Sequence, residues 1–448
     1  MTVDLAITGG TVVSPQERRR AHVYVDGGKI VAVSDEARPA RRTTDATGLL
    51  LLPGMVDSHV HLMDPGDTDR EDFPTGTRAA AARGVTTIVE HTHAHPIRTV
   101  DDLSAKIAHL SGRSNVDFGL AAHAWPDHMA DLAPLWEAGI TYFKIFTCTT
   151  HGVPGLDEET MRGAMARIAA FGGTCLIHCE DETITAEAEQ RLRAEGRTDG
   201  GVIIEWRSRR AEEAAVEVVA ALAAKTGVRA TVAHVSNPTV AGIIQDAREQ
   251  GADLAAEACP QYFALREGEV IEWEALRKFT PPARARSDAD GAAMWELVRS
   301  GVLTHFSTDH APSTRAQKLA GDIWDAPFGL PGLDTTLPFL LDAAHRNEIT
   351  HEDVVRLYSE APARRYGLYP RKGHLGPGAD ADIILVDESA SWTVADDDII
   401  SKAGWSPYTG RQFVGGVAAT MLRGELVASE GVVADERSGR FLPGPGTL

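Results

Sequence analysis

The sequence predicts an α/β protein: a (β/α)8 TIM barrel with a small β-sandwich built from both ends of the chain. Two observations predict it. Between Gly54 and about residue 368, apolar strand-like runs alternate with Ala- and Leu-rich amphipathic stretches, the pattern of parallel βα units. At both ends the texture is different, with short strand-like runs punctuated by glycines. The division expected is 1–53 and 369–448 for the two parts of the sandwich and 54–368 for the barrel.

At the N-terminal end the strand candidates are Asp4–Ile7, Thr11–Val13, His22–Val25, Lys29–Val33 and Leu49–Leu52, separated at Gly9-Gly10, Gly27-Gly28 and Gly48. In the barrel they are Thr86–Val89, Tyr142–Phe146, Thr174–His178, Ala230–His234 and Leu303–Thr308. Helices are expected over Asp157–Phe171 and Arg209–Lys225. Strands return at Asp382–Val386, Ala418–Leu422 and Glu425–Ser429, after a turn over Gly376–Asp382. A chain of 448 residues suits a barrel folded as one unit.

Composition excludes several classes. The net charge of −20 argues against nucleic acid or an anionic membrane as partner. The four cysteines, Cys148, Cys175, Cys179 and Cys259, show no zinc-knot spacing, and a chain this large needs no disulfides. The first residues carry Asp4 and break at Gly9-Gly10, so no signal peptide is expected. No charge-free apolar run reaches the ~18 residues of a membrane span. A cytoplasmic protein follows as the expectation.

The chemistry gathers at strand ends, where barrel enzymes place their sites. Asp57-Ser58-His59-Val60-His61 follows an apolar run, and residues two apart in an extended segment share a face. His59 and His61 can therefore offer two imidazoles to one metal. His178, His234 and Asp309 each close a later apolar run. Any one could be a packed histidine or a capping aspartate, but four histidines and an aspartate at four separate strand ends suit a metal centre. Imidazole and carboxylate donors fit zinc and its first-row neighbours. Lys144 lies inside the apolar run Tyr142–Phe146, where a buried ammonium is costly. Either it reaches out at the barrel rim, or it is modified or metal-bound.

Taken together, Gly54–His61, the Phe143–Phe146 strand, Ile177–Glu180, Ala233–Ser236 and Thr308–Pro312 resemble the cyclic amidohydrolases: dihydroorotases, allantoinases, hydantoinases and dihydropyrimidinases. The resemblance runs nearly end to end and includes Gly376–Asp382 and Ser406-Pro407-Tyr408. It implies hydrolysis of a C–N bond in a cyclic amide or ureide by two divalent metals, zinc or else manganese, cobalt or iron. It further implies that Lys144 is carboxylated by CO₂ and bridges them. His59, His61 and Asp309 would hold the more buried metal, and His178 and His234 the other. Two close metals share and acidify a water. Asp309 is then the expected catalytic acid and base. A homo-oligomer, a tetramer, is implied by the resemblance alone.

Within that group the pattern is closest to allantoinases, through Glu257–Phe263, Met294-Trp295-Glu296, Lys318–Gly321 and Ser406–Arg411, although Gln261 replaces a usual His. Dihydroorotases carry Arg, Asn and His where this chain has Met63, His93 and Ser313. Hydantoinases and dihydropyrimidinases carry Tyr where it has Thr149. A dihydropyrimidinase or a cyclic imide hydrolase is the alternative reading. The run His91-Thr92-His93-Ala94-His95 fits none of these patterns; in an extended segment its alternate histidines would face one way into the pocket. The candidate substrate contacts are His91, His93, Thr149, Thr280 and Gly332. Two rivals fit worse. A non-catalytic scaffold should have lost ligands, and a deaminase should lack the strand lysine.

Overall fold

The computed structural model describes residues 2–447. Nine strand segments form eight parallel staves, the third being interrupted at Ala121: Met55–Val60, Val85–Glu90, Asp117–Leu120 with Ala122–His123, Phe143–Phe146, Thr174–His178, Arg229–Val232, Leu254–Ala258 and His305–Phe306. The ring closes where His310 bridges Val60 in parallel and the His61 amide donates to the His310 carbonyl at 2.8 Å. Helices between the staves pack outside, as parallel connections require.

Local chemistry explains the helices. Arg209–Thr226 starts where the Ser208 hydroxyl accepts the Ala211 amide, and stops at Gly227, whose φ of 69° is left-handed. Its buried face, Ala215, Val216, Val219, Leu222 and Ala223, recurs at helical spacing. The chain crosses from sandwich to barrel at Gly54, where any Cβ would lie 2.0 Å from Thr86 Oγ1.

Inside the barrel, side chains two apart on a strand rise in layers. Val56, Val89, Ala121, Tyr142, Leu176 and Ala233 belong to one packed apolar cluster. Two residues further along their strands, His91, His123, Lys144 and His178 replace it with a polar layer, all four buried.

The sandwich pairs a four-stranded sheet from residues 3–45 with a seven-stranded one. The latter takes Thr11–Val13, Arg18–Arg20 and Leu50–Pro53 from one end of the chain and Ile383–Thr393, Gln412–Leu422, Glu425–Ser429 and Val432-Val433 from the other. The Ile383–Thr393 strand pairs directly with Leu50–Pro53. Lys372 fastens the two parts through Asp117 and Asp382, each 2.6 Å from its Nζ.

Two C-terminal segments leave the sandwich, so the boundary at 368/369 describes its strands only. Residues 394–411 lie on the barrel, with Ser401 Oγ on Glu71 and Trp405 Nε1 on the Ser313 carbonyl. Residues 439–444 run beside the Asp117–Leu120 stave, with the Leu442 amide on the Phe118 carbonyl. Their polar, Gly- and Pro-rich composition gave no strand or helix period to read. Among the described residues no helix is long and apolar enough to cross a membrane.

Candidate active site

His59, His61, Lys144, His178, His234 and Asp309 all line one cavity of about 530 Å³ at the C-terminal ends of the staves. His59 Nε2 is 3.1 Å from Lys144 Nζ and 3.2 Å from Asp309 Oδ1, and His61 Nε2 is 3.3 Å from the same oxygen. On the other side His178 Nδ1 faces His234 Nε2 at 3.0 Å. The Met55–Val60 stave carries a register shift between Asp57 and Val60, which lets both histidines turn to one centre.

The outward nitrogens settle which lone pairs point inward. His59 Nδ1 is 2.7 Å from Glu257 Oε1, His61 Nδ1 is 2.8 Å from the His91 carbonyl, and His178 Nε2 is 2.8 Å from Glu180 Oε2. Each of these partners is an acceptor, so each ring donates outward and keeps its lone pair on the inner nitrogen. Glu257 also accepts the His234 amide, at 3.0 Å. Glu180 is itself held by Thr280 Oγ1 at 2.6 Å and Arg207 Nη1 at 3.2 Å. Lone pairs aimed inward around a carboxylate fit divalent cations.

Burial holds His59 and His234 well below the ordinary imidazole range, which leaves them neutral and able to ligate. Burial also pushes the Lys144 ammonium down, against the opposing pull of Glu257 and Asp309. For Asp309 burial acts upward, but its neighbours His61, His234 and Lys144 prevail and hold its carboxyl below the usual range. Met63, His151, His234 and Asp309 all line the cavity with φ between 37° and 57°, a left-handed conformation costly for residues other than glycine.

Among the candidate substrate contacts, His93, Thr149 and Thr280 line the cavity, whereas His91 and Gly332 do not. His91 is wholly buried behind the wall, and the Gly332 amide is used to cap His310 Nδ1 at 3.0 Å. The shared face expected of His91, His93 and His95 is not formed. The strand ends at Glu90, and the loop beyond it leaves His91 buried, His93 half-buried and His95 exposed. Sequence reading gave no role to His123, His151, Glu180 or Glu257. The two-residue period does point to His123 after Ala121 and to Glu180 after His178, whereas His151 stands in a turn without any period. Arg70, Arg207 and Lys278 stand on the far wall with Trp206 and Phe328. The Arg207 guanidinium lies 4.4 Å from the Trp206 ring centre, and Lys278 Nζ 4.5 Å from that of Phe328.

Residues 50–427 match the amidohydrolase family. The chain is 36% identical to an allantoinase of Streptomyces avermitilis, covering 98% of both chains. It is 32% identical to an allantoinase of Solibacter usitatus, over 98% of this chain and 96% of that one. Among solved structures it superimposes on the L-hydantoinase (dihydropyrimidinase) of Arthrobacter aurescens with a TM-score of 0.94, at 29% identity, covering 99% of this chain and 100% of that one. On the dihydropyrimidinase of Brevibacillus agri the TM-score is 0.90, at 27% identity and 98% coverage of both chains.

Proposed function

The chain belongs to the amidohydrolase family, and we propose that it opens the ring of a cyclic amide or ureide at Asp309, over two divalent metals held by His59, His61, Lys144, His178, His234 and Asp309. It is a metal-dependent hydrolase of cyclic amides. The observation that carries the site assignment is the convergence of inner lone pairs whose outer nitrogens are already engaged by Glu257, Glu180 and the His91 carbonyl.

Two divalent ions, zinc first by donor chemistry, supply polarisation of the ring carbonyl and acidification of a water. Carboxylation would turn the Lys144 ammonium into an anion among cations and so remove the cost of burying it. Asp309 is the member of the set most open to the cavity, its side chain 14% exposed against 1% for His59 and 4% for His61. From there its carboxylate takes a proton from water and returns it to the departing ring nitrogen as the C–N bond breaks. Water is consumed, and a single open-chain product carries both the new carboxylate and the freed nitrogen group.

The cavity has room for a ring with a substituent, and Phe146, Trp206 and Phe328 give it apolar surface. This favours a substituted hydantoin-like or imide ring as the second reading beside allantoin. A homotetramer is the accompanying proposal, supported by resemblance alone and tested by sedimentation. The decisive experiment offers the metal-loaded protein allantoin, hydantoins, dihydrouracil, dihydroorotate and cyclic imides. Loss of ring absorbance with acid formation is expected for at least one. Ammonia release without ring opening, or no turnover of any ring, overturns the proposal.

A further inference from the structure

We infer that His91 is an additional ligand of the deeper metal, which would then be held by three imidazoles, His59, His61 and His91, rather than two. The inference rests on the two-metal reading above.

The stave Val85–Glu90 runs parallel to Met55–Val60, and the His91 amide donates to the Val60 carbonyl at 3.1 Å, which sets His91 beside His61. Val89 packs into the barrel interior; His91, two residues on, turns the same way one layer higher. Its ring centre lies 4.3 Å from that of His61 and 5.0 Å from that of His59. One ring nitrogen from each of the three lies within 4.8 Å of the other two.

The tautomer follows from a neighbour. Tyr142 Oη donates its one hydrogen to the Ser58 carbonyl at 2.7 Å, so it can only accept from His91 Nδ1, 3.3 Å away. His91 therefore carries its hydrogen on Nδ1 and a lone pair on Nε2. That Nε2 is buried and has no hydrogen-bond partner. An orphaned buried acceptor is costly, and a cation at the His59–His61 centre would satisfy it. A third imidazole shifts the site's preference toward nitrogen-seeking ions such as zinc, cobalt, nickel or copper, and away from manganese or magnesium.

The test reads metal rather than turnover. X-ray absorption of the zinc-loaded parent should count five imidazoles shared by two ions rather than four. His91→Leu should release one metal to a chelator roughly tenfold to a hundredfold faster than the parent. It should also alter the visible spectrum of the cobalt-substituted protein. Tyr142→Phe, which keeps the imidazole but frees Nδ1, should show a smaller change in the same direction. If His91→Leu does not fold, the absorption count on the parent decides. A parent with two metals and four imidazoles, or unchanged release and spectrum in His91→Leu, overturns the inference and leaves the two-metal reading intact. A parent with fewer than two metals overturns both. A third metal lost with His91→Leu places this ring in a separate site with His93 and His123, and overturns the inference too.

Discussion

Glu257 Oε1 stands 2.7 Å from His59 Nδ1 and also accepts the amide of His234, so one buried carboxylate orients two candidate ligands from different staves. Its other oxygen is buried without a partner. Glu257→Gln keeps the shape but replaces an acceptor-only group, and its amide can turn an N–H toward His59. Metal affinity should fall by about tenfold to a hundredfold, the usual cost of losing such a support. Competition against a chromogenic chelator measures it; affinity equal to the parent's would leave His59 oriented by packing alone.

Lys144 is 2% exposed, and burial pushes its ammonium down, which enriches the free amine. That amine can attack CO₂, forming an N–C bond and releasing one proton to give a carbamate. Lys144→Ala should lose most activity and part of the metal, and a short-chain carboxylic acid should restore some rate by standing in for the carbamate. Full metal content and full rate in Lys144→Ala would refute the bridged centre.

Asp309 Oδ1 lies 3.2 Å from His59 Nε2 and 3.3 Å from His61 Nε2, and the side chain opens to the cavity. Asp309→Asn removes a ligand and the proton carrier together, so turnover should fall more than about a thousandfold. A variant within about tenfold of the parent excludes Asp309 as the base.

Much of this centre was legible in the sequence because a barrel converts strand period into radial position. His59, His61, His178, His234 and Asp309 each end or follow an apolar run, Lys144 lies within one, and the structure brings all six to one cavity. What could not be read was anything set by contact between distant segments. Glu257 supports His59 across 198 residues of sequence, and Thr280 supports Glu180 across 100. The loop after Glu90 was misread for a related reason. A two-residue period holds only while the strand lasts, and this one stops before the second and third histidines.

His93 Nε2 is buried at the cavity wall without a hydrogen-bond partner, beside His61 and His151. A polar group of the substrate is its natural complement. His93→Ala should lower kcat/KM by roughly tenfold to a hundredfold at unchanged metal content, the cost of one lost hydrogen bond. It should also reorder the preference among rings. Parent kinetics on the best substrate would leave His93 as wall and no more.

His123 gives a prediction about pH. Its ring is 1% exposed, lies nearly parallel to Phe146 at 3°, and neither nitrogen has a partner. Burial, then Lys144 and His61, hold it well below the ordinary value of 6.5. A depressed folded value means that its contribution to stability is complete above about 6.5, where the unfolded chain also carries neutral imidazole. The contribution is lost as pH falls below that, because the unfolded chain then binds a proton that the folded one refuses. His123→Leu removes this group while keeping the site apolar. Relative to the parent, the variant should therefore gain about 1.4 kcal/mol for each pH unit below about 6.5. Urea unfolding of the metal-loaded proteins at about pH 7.5 and about pH 5.5 measures the change in that difference. If the two proteins lose stability in parallel, His123 is protonated in the folded state, and a partner for it must exist in the barrel at low pH.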